Sequence, residues 1–113
     1  MTLRVVFAQL DFLVGDVPGN CDKVLAAAGR ARERGADLLV FPELTLTSYP
    51  PEDLLLRPEL IQRVERALDR LCEQVEGITL VLGYPKAEGG RLYYVAGVIQ
   101  DGRVLVEYRK QFL

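Results

Sequence analysis

The sequence has no histidine and only two cysteines, Cys21 and Cys72. Without imidazole, the metal sites and nucleophile arrangements that depend on it are excluded within these residues, and two cysteines do not make a disulfide framework. Catalysis is left with carboxylates, amines and hydroxyls, or with a residue from outside the segment. Long apolar runs are also missing, since no stretch approaches the roughly 20 residues that a membrane-spanning helix needs. The opening Met1-Thr2-Leu3-Arg4 leads into a short apolar run and then Gln9 and Asp11, which is not a secretory signal. A cytoplasmic location is the resulting expectation. Acidic and basic residues nearly balance, 16 against 14, and the net charge of −2 gives no electrostatic reason to expect nucleic acid or a membrane surface as partner.

What is present is ordinary for a globular domain, with 50% hydrophobic and 27% charged residues among 113. Leu3 to Gln9 is rich in β-branched and aromatic residues and predicts a strand. A loop follows to Gly19, and Asn20 is a plausible N-cap for a helix running to about Arg34, ended by Gly35. Its apolar positions Cys21, Val24, Leu25, Ala28 and Ala31 follow helical spacing. Leu38 to Phe41 has no polar alternation and predicts a strand buried on both faces. Glu43 to Arg57, with Pro50-Pro51, is a long connection. Pro58 suits the first turn of a second helix, whose stripe runs from Leu60 to Val75 and which Gly77 closes. Ile78 to Leu82 predicts a third strand. Leu92 to Ile99 and Val104 to Arg109 are strand-like runs around Asp101-Gly102, a strong hairpin signal. The expected fold class is therefore α/β: β-α-β-α-β with parallel strands, then a β-hairpin. No repeat or linker divides the chain, so residues 1–113 are expected to belong to one domain. Two helices cannot cover both faces of a parallel sheet, and Phe112-Leu113 is an apolar finish. The domain is expected to be truncated before completion, and the uncovered apolar surface predicts a homo-oligomer.

Two residues could carry chemistry. Glu43 follows Val40-Phe41-Pro42 at the carboxyl end of a buried strand, where open α/β sheets place ligands. Apolar neighbours Phe41, Leu44 and Leu46 would strip it of water, as a general base requires. Lys110 ends the hairpin strand Val104-Leu105-Val106-Glu107-Tyr108-Arg109, where a point cation could stabilise an oxyanion. The plainer account of each is a solvated surface charge. Cys21, at a helix start, could have its pKa lowered by the helix dipole, but it also begins an apolar stripe; Cys72 lies inside one. Both read as packing residues.

Three segments together resemble the nitrilase, or carbon–nitrogen hydrolase, superfamily. They are Val5-Val6-Phe7-Ala8-Gln9-Leu10 with Gly15-Asp16 and Gly19-Asn20, then Ala36-Asp37-Leu38-Leu39-Val40-Phe41-Pro42-Glu43-Leu44, and finally Tyr108-Arg109-Lys110 after the Asp-Gly hairpin. Each is weakly specific alone; their order and spacing are strongly so. The resemblance implies part of a nitrilase-type αββα sandwich. It also implies a Glu-Lys-Cys triad, with Glu43 and Lys110 as two members and the nucleophilic Cys some tens of residues past Leu113.

The stretch from Leu44 through Tyr49-Pro50-Pro51-Glu52-Asp53 to Pro58 is similar to the glutamine amidohydrolase domain of glutamine-dependent NAD synthetases, a group within that superfamily. That likeness implies Tyr49 as a glutamine-binding residue and glutamine hydrolysis that supplies ammonia. A second, ATP-dependent domain outside this segment would then amidate deamido-NAD. No cofactor is expected within the segment; ATP and Mg would belong to that second domain, and the segment alone would be inert. Two positions depart from the group: Ser48 stands where Gly is usual, and Tyr94 where Asn is expected. The alternatives are a stand-alone amidase or carbamoylase, which the segment from Tyr49 to Pro58 disfavours, and a non-catalytic α/β assembly fragment, which the presence of Glu43 and Lys110 disfavours.

Overall fold

The computed structural model describes residues 2–49 and 52–112, so the expectations for Pro50, Pro51 and Leu113 fall outside the described residues. In chain order the elements are β1 (Val5–Phe7), α1 (Val17–Glu33), β2 (Leu38–Val40), α2 (Glu52–Leu55), α3 (Pro58–Gln74), β3 (Thr79–Glu88), β4 (Arg91–Gln100) and β5 (Arg103–Phe112). They form a five-stranded sheet whose spatial order is the chain order. β1, β2 and β3 run parallel, and β4 and β5 continue antiparallel. The expected β-α-β-α-β and hairpin are both present. At the β4–β5 turn Asp101 and Gly102 have φ of 54° and 80°, the doubly positive pattern of a two-residue hairpin turn.

The structure corrects several boundaries. β3 does not stop at Leu82 but continues to Glu88 through Gly83 and Pro85, making a second hairpin with β4. Its pairing with β2 ends at Val81, so Pro85 lies where β3 has lost that neighbour and a missing N–H is tolerated. A one-turn helix, α2, interrupts the connection expected to be irregular. α3 ends at Gln74, before Gly77.

Asn20 is not the N-cap of α1. Asp16 is, with Oδ1 accepting from Gly19 N at 3.1 Å and a proline in the first turn. Asn20 is fully buried inside the helix, and its amide ties two loops together. Its Nδ2 donates to the Leu13 and Leu46 carbonyls at 2.8 and 2.9 Å, and its Oδ1 accepts from Leu13 N at 2.8 Å. The first loop and the connection after β2 are thereby held against each other.

Val17, Cys21, Val24 and Ala28 of α1 and Leu60, Val64, Ala67 and Leu71 of α3 pack against Leu39, Leu80, Leu82, Tyr84, Val95 and Ile99 of the sheet in one core. Alternation puts these strand residues on a single face. The opposite face is open: Phe7 is 74% and Tyr108 70% exposed, with Val5 and Val106 also exposed. Tyr94 is half-buried against the core beside a break in the β4–β5 register, so the strand accepts it where Asn was expected. Among the described residues no helix is long and apolar enough to cross a membrane.

Asn20→Ala removes three hydrogen bonds, one buried and two part-buried, and strands two carbonyls and an amide. It is expected to lower stability by about 2–4 kcal/mol in urea unfolding. Asp16→Ala, which removes only a cap, should lose about 1 kcal/mol.

Candidate active site

Phe41 still donates to Val81 O at 2.8 Å, but Pro42 has no N–H and the chain then leaves the regular ladder. The Glu43 carbonyl crosses β3 at Gly83. A Cβ on residue 83 would lie 1.2 Å from the Glu43 oxygen and 2.3 Å from its carbonyl carbon, so any side chain there would expel the loop. Thr45 N then returns to Gly83 O at 3.0 Å, while Thr45 Oγ1 donates to Pro42 O at 2.6 Å. Leu44, Thr45, Leu46 and Thr47 are all buried. The segment is anchored by its backbone and its apolar side chains, and the Glu43 carboxylate is left pointing out. Sequence reasoning passed over Gly83, although an isolated glycine inside a strand pattern is a signal of close backbone approach.

Phe41, Leu44 and Leu46 do not dehydrate Glu43 as expected. They turn into the protein, and the Glu43 side chain remains 43% exposed. The loop reaches Ser48 with φ of 55°, in the left-handed region. This explains why Gly suits that position; the substitution matters for backbone freedom more than for size. Tyr49 follows, exposed, on the same loop.

Lys110 reaches the same place from β5. Its Nζ lies 3.6 Å from Glu43 Oε1, with the lysine side chain 40% exposed. The backbone pairs Tyr94 with Gln111 and Val95 with Arg109, so Lys110 is the extra residue of a β-bulge. Arg109 pairs with Val95 of the core face, so alternation puts Lys110 on the open face, and the bulge adds local twist there. The two charges meet on the face that Gly83 presents, opposite Tyr84 and the helices. An ion pair this exposed stabilises the fold by less than about 1 kcal/mol, so its interest is the placement of a carboxylate beside an ammonium.

The cysteines lie elsewhere. Cys21 is fully buried a turn inside α1, and burial raises its thiol pKa, with the Arg70 charge opposing in part. Burial raises Cys72 as well. The lowered pKa that a helix start would confer on Cys21 is therefore overturned by desolvation, and both thiols stay protonated at neutral pH. Among the described residues no group of three or more Cys, Asp or Glu could hold a metal ion.

Comparison with known proteins places these features in context. The family described as carbon–nitrogen hydrolase matches residues 4–113. The glutamine-dependent NAD(+) synthetase of Xylella fastidiosa is 46% identical over 112 residues, which are 98% of this chain and 21% of that protein. The glutamine-dependent NAD+ synthetase of Acinetobacter baumannii, solved with ADP, superposes with a TM-score of 0.88 at 40% identity, covering 94% of this chain and 20% of that one. A variant of an amidase from Nesterenkonia sp. AN1 superposes with a TM-score of 0.84 at 31% identity, covering 96% of this chain and 42% of that one. It carries the acetamide moiety of fluoroacetamide on its active-site cysteine. The chain thus spans about a fifth of the length of the synthetases it resembles.

Gly83→Ala should destabilise the protein by about 1–3 kcal/mol or more, because the Glu43 backbone must move. Gly29→Ala is the control: it lies in α1 with open space around it and should stabilise by about 0.5–1 kcal/mol. Urea unfolding of both distinguishes close approach from a general intolerance of alanine. In native-state alkylation, half-buried Cys72 should label before Cys21.

Proposed function

This chain belongs to the carbon–nitrogen hydrolase family, and we propose that it contributes the base and the oxyanion cation of a glutamine-hydrolysing site in a glutamine-dependent NAD synthetase. The observation that carries the reading is the Glu43–Lys110 pair, brought together at 3.6 Å from the loop after β2 and from within β5. The 46% identity with the Xylella synthetase, against 31% with the Nesterenkonia amidase variant, supports this group over the amidases.

In this reading the nucleophile is a cysteine beyond Leu113. Glu43 takes the proton of its thiol, and the thiolate adds to the side-chain amide carbon of glutamine. The negative charge that develops on the amide oxygen faces the Lys110 ammonium. As the tetrahedral intermediate collapses, Glu43 returns its proton to the departing nitrogen and ammonia leaves. Glu43 then takes a proton from water, whose oxygen adds to the thioester carbon; the carbon–sulfur bond breaks, glutamate leaves, and Glu43 returns the proton to the cysteine sulfur. Tyr49, exposed on the loop after Glu43, is available to contact the glutamine. ATP, Mg and deamido-NAD belong to a synthetase domain outside these residues, where the ammonia is used.

The test is made in the full-length protein. Glu43→Gln keeps the shape of the side chain but cannot accept the thiol proton, and Lys110→Ala leaves the oxyanion without its cation. Each should lower NAD formation from glutamine by about 10²–10³-fold or more, while synthesis from supplied ammonia survives. Glutamine-dependent turnover within a few-fold of wild type in either variant would defeat the reading.

A further inference from the structure

The position of Lys110 depends on the register of β5, and two bulges separate that register from the one the Asp101-Gly102 turn sets. β5 is bulged twice against β4, at Leu105 and at Lys110, which divides the ladder into three short stretches; the central one pairs Val106–Arg109 with Val95–Val98. Within that short stretch, side chains tie β5 to β3, across β4. Tyr84 on β3 donates its phenol hydrogen to Glu107 Oε2 at 2.6 Å, and Lys86 ion-pairs with the other oxygen. Glu88 pairs with Arg109, whose guanidinium lies 4.6 Å from the centre of the Tyr93 ring.

Tyr84 reaches Glu107 only because the strand between them carries Gly97, the register partner of Glu107. A Cβ there would stand 2.3 Å from the phenol oxygen. Tyr84 is fully buried, and its pKa is raised well above the ordinary phenol value, first by burial and then by the bond to Glu107. At neutral pH it therefore stays protonated and able to donate. The two residues also floor a cleft of about 400 Å³ between α3 and the hairpin, on the face away from the Glu43–Lys110 pair.

We propose that Tyr84 and Glu107 are positioning residues for Lys110: their hydrogen bond on the helix-side face sets the register that presents Lys110 to Glu43 on the other. The inference rests on the reading of Lys110 as the oxyanion cation. A slip of one residue would carry Glu107 to the open face and turn Lys110 away, so satisfying the buried phenol and placing the ammonium are one condition. Lys110 meets the oxyanion only in the transition state, so misplacing it lowers kcat and leaves KM for glutamine nearly unchanged.

The test uses the full-length protein with Tyr84→Phe, Glu107→Leu and Glu107→Gln, and with Lys110→Ala alongside. Glutaminase kcat and KM, ammonia-dependent synthesis and the unfolding temperature are measured for each. Tyr84→Phe and Glu107→Leu are expected to lower glutaminase kcat by about 10–100-fold with KM and ammonia-dependent synthesis retained. Glu107→Gln, which keeps an oxygen for Tyr84, should recover most of that loss. A Tyr84→Phe enzyme with wild-type kcat while Lys110→Ala is inactive overturns the lock and leaves the site reading intact. An active Lys110→Ala removes both. Parallel loss of both activities with a fall in unfolding temperature also overturns it, in favour of a purely structural bond. If Glu107→Leu does not fold, the comparison of Tyr84→Phe with Glu107→Gln decides.

Discussion

The Glu43 carbonyl occupies the space where residue 83 would carry its Cβ, 1.2 Å from that point. This exclusion determines how the chain leaves β2. Because the backbone can lie directly on β3, Thr45 returns to the Gly83 carbonyl and the next residues bury their side chains. The loop therefore needs no help from the Glu43 side chain, which is free to face outward. Asn20 secures the far end of the same loop through the Leu46 carbonyl. The carboxylate is thus held by its own backbone at one end and by a buried amide at the other, as a preorganised site requires.

The sheet divides the work between its faces. Toward the helices it is a packed core in which a buried polar group, the Tyr84 hydroxyl, is satisfied by Glu107. On the opposite face apolar residues such as Phe7 and Tyr108 remain exposed beside the Glu43–Lys110 pair. The period of two along a strand makes the faces interdependent: a β5 register that satisfies Glu107 on one side decides what its neighbours present on the other.

Much of this was legible in the residues. The strand and helix order follows from apolar periodicity, and Asp101-Gly102 announces its turn because both positions need positive φ. Glu43 and Lys110 could be singled out by strand-end position and by family resemblance, but their proximity could not. That proximity depends on pairing across three strands and on a bulge, which leaves no mark in local composition. Asn20 misled because the same amide that caps helices can, when buried, bridge two loops; the difference is tertiary. β3 was cut short at Leu82 because Gly83 and Pro85 are usually breakers. Here one makes room for a carbonyl and the other sits beyond the reach of β2.

The central claim is that Glu43 and Lys110 act as one unit on one reacting centre. A double-mutant cycle tests it most directly, with glutaminase kcat/KM measured for Glu43→Gln, Lys110→Ala and the double variant of the full-length protein. If the two groups serve the same step, the double variant should be barely slower than the worse single variant, because either loss already disables the unit. Losses that multiply would show two residues acting independently, and would contradict the account.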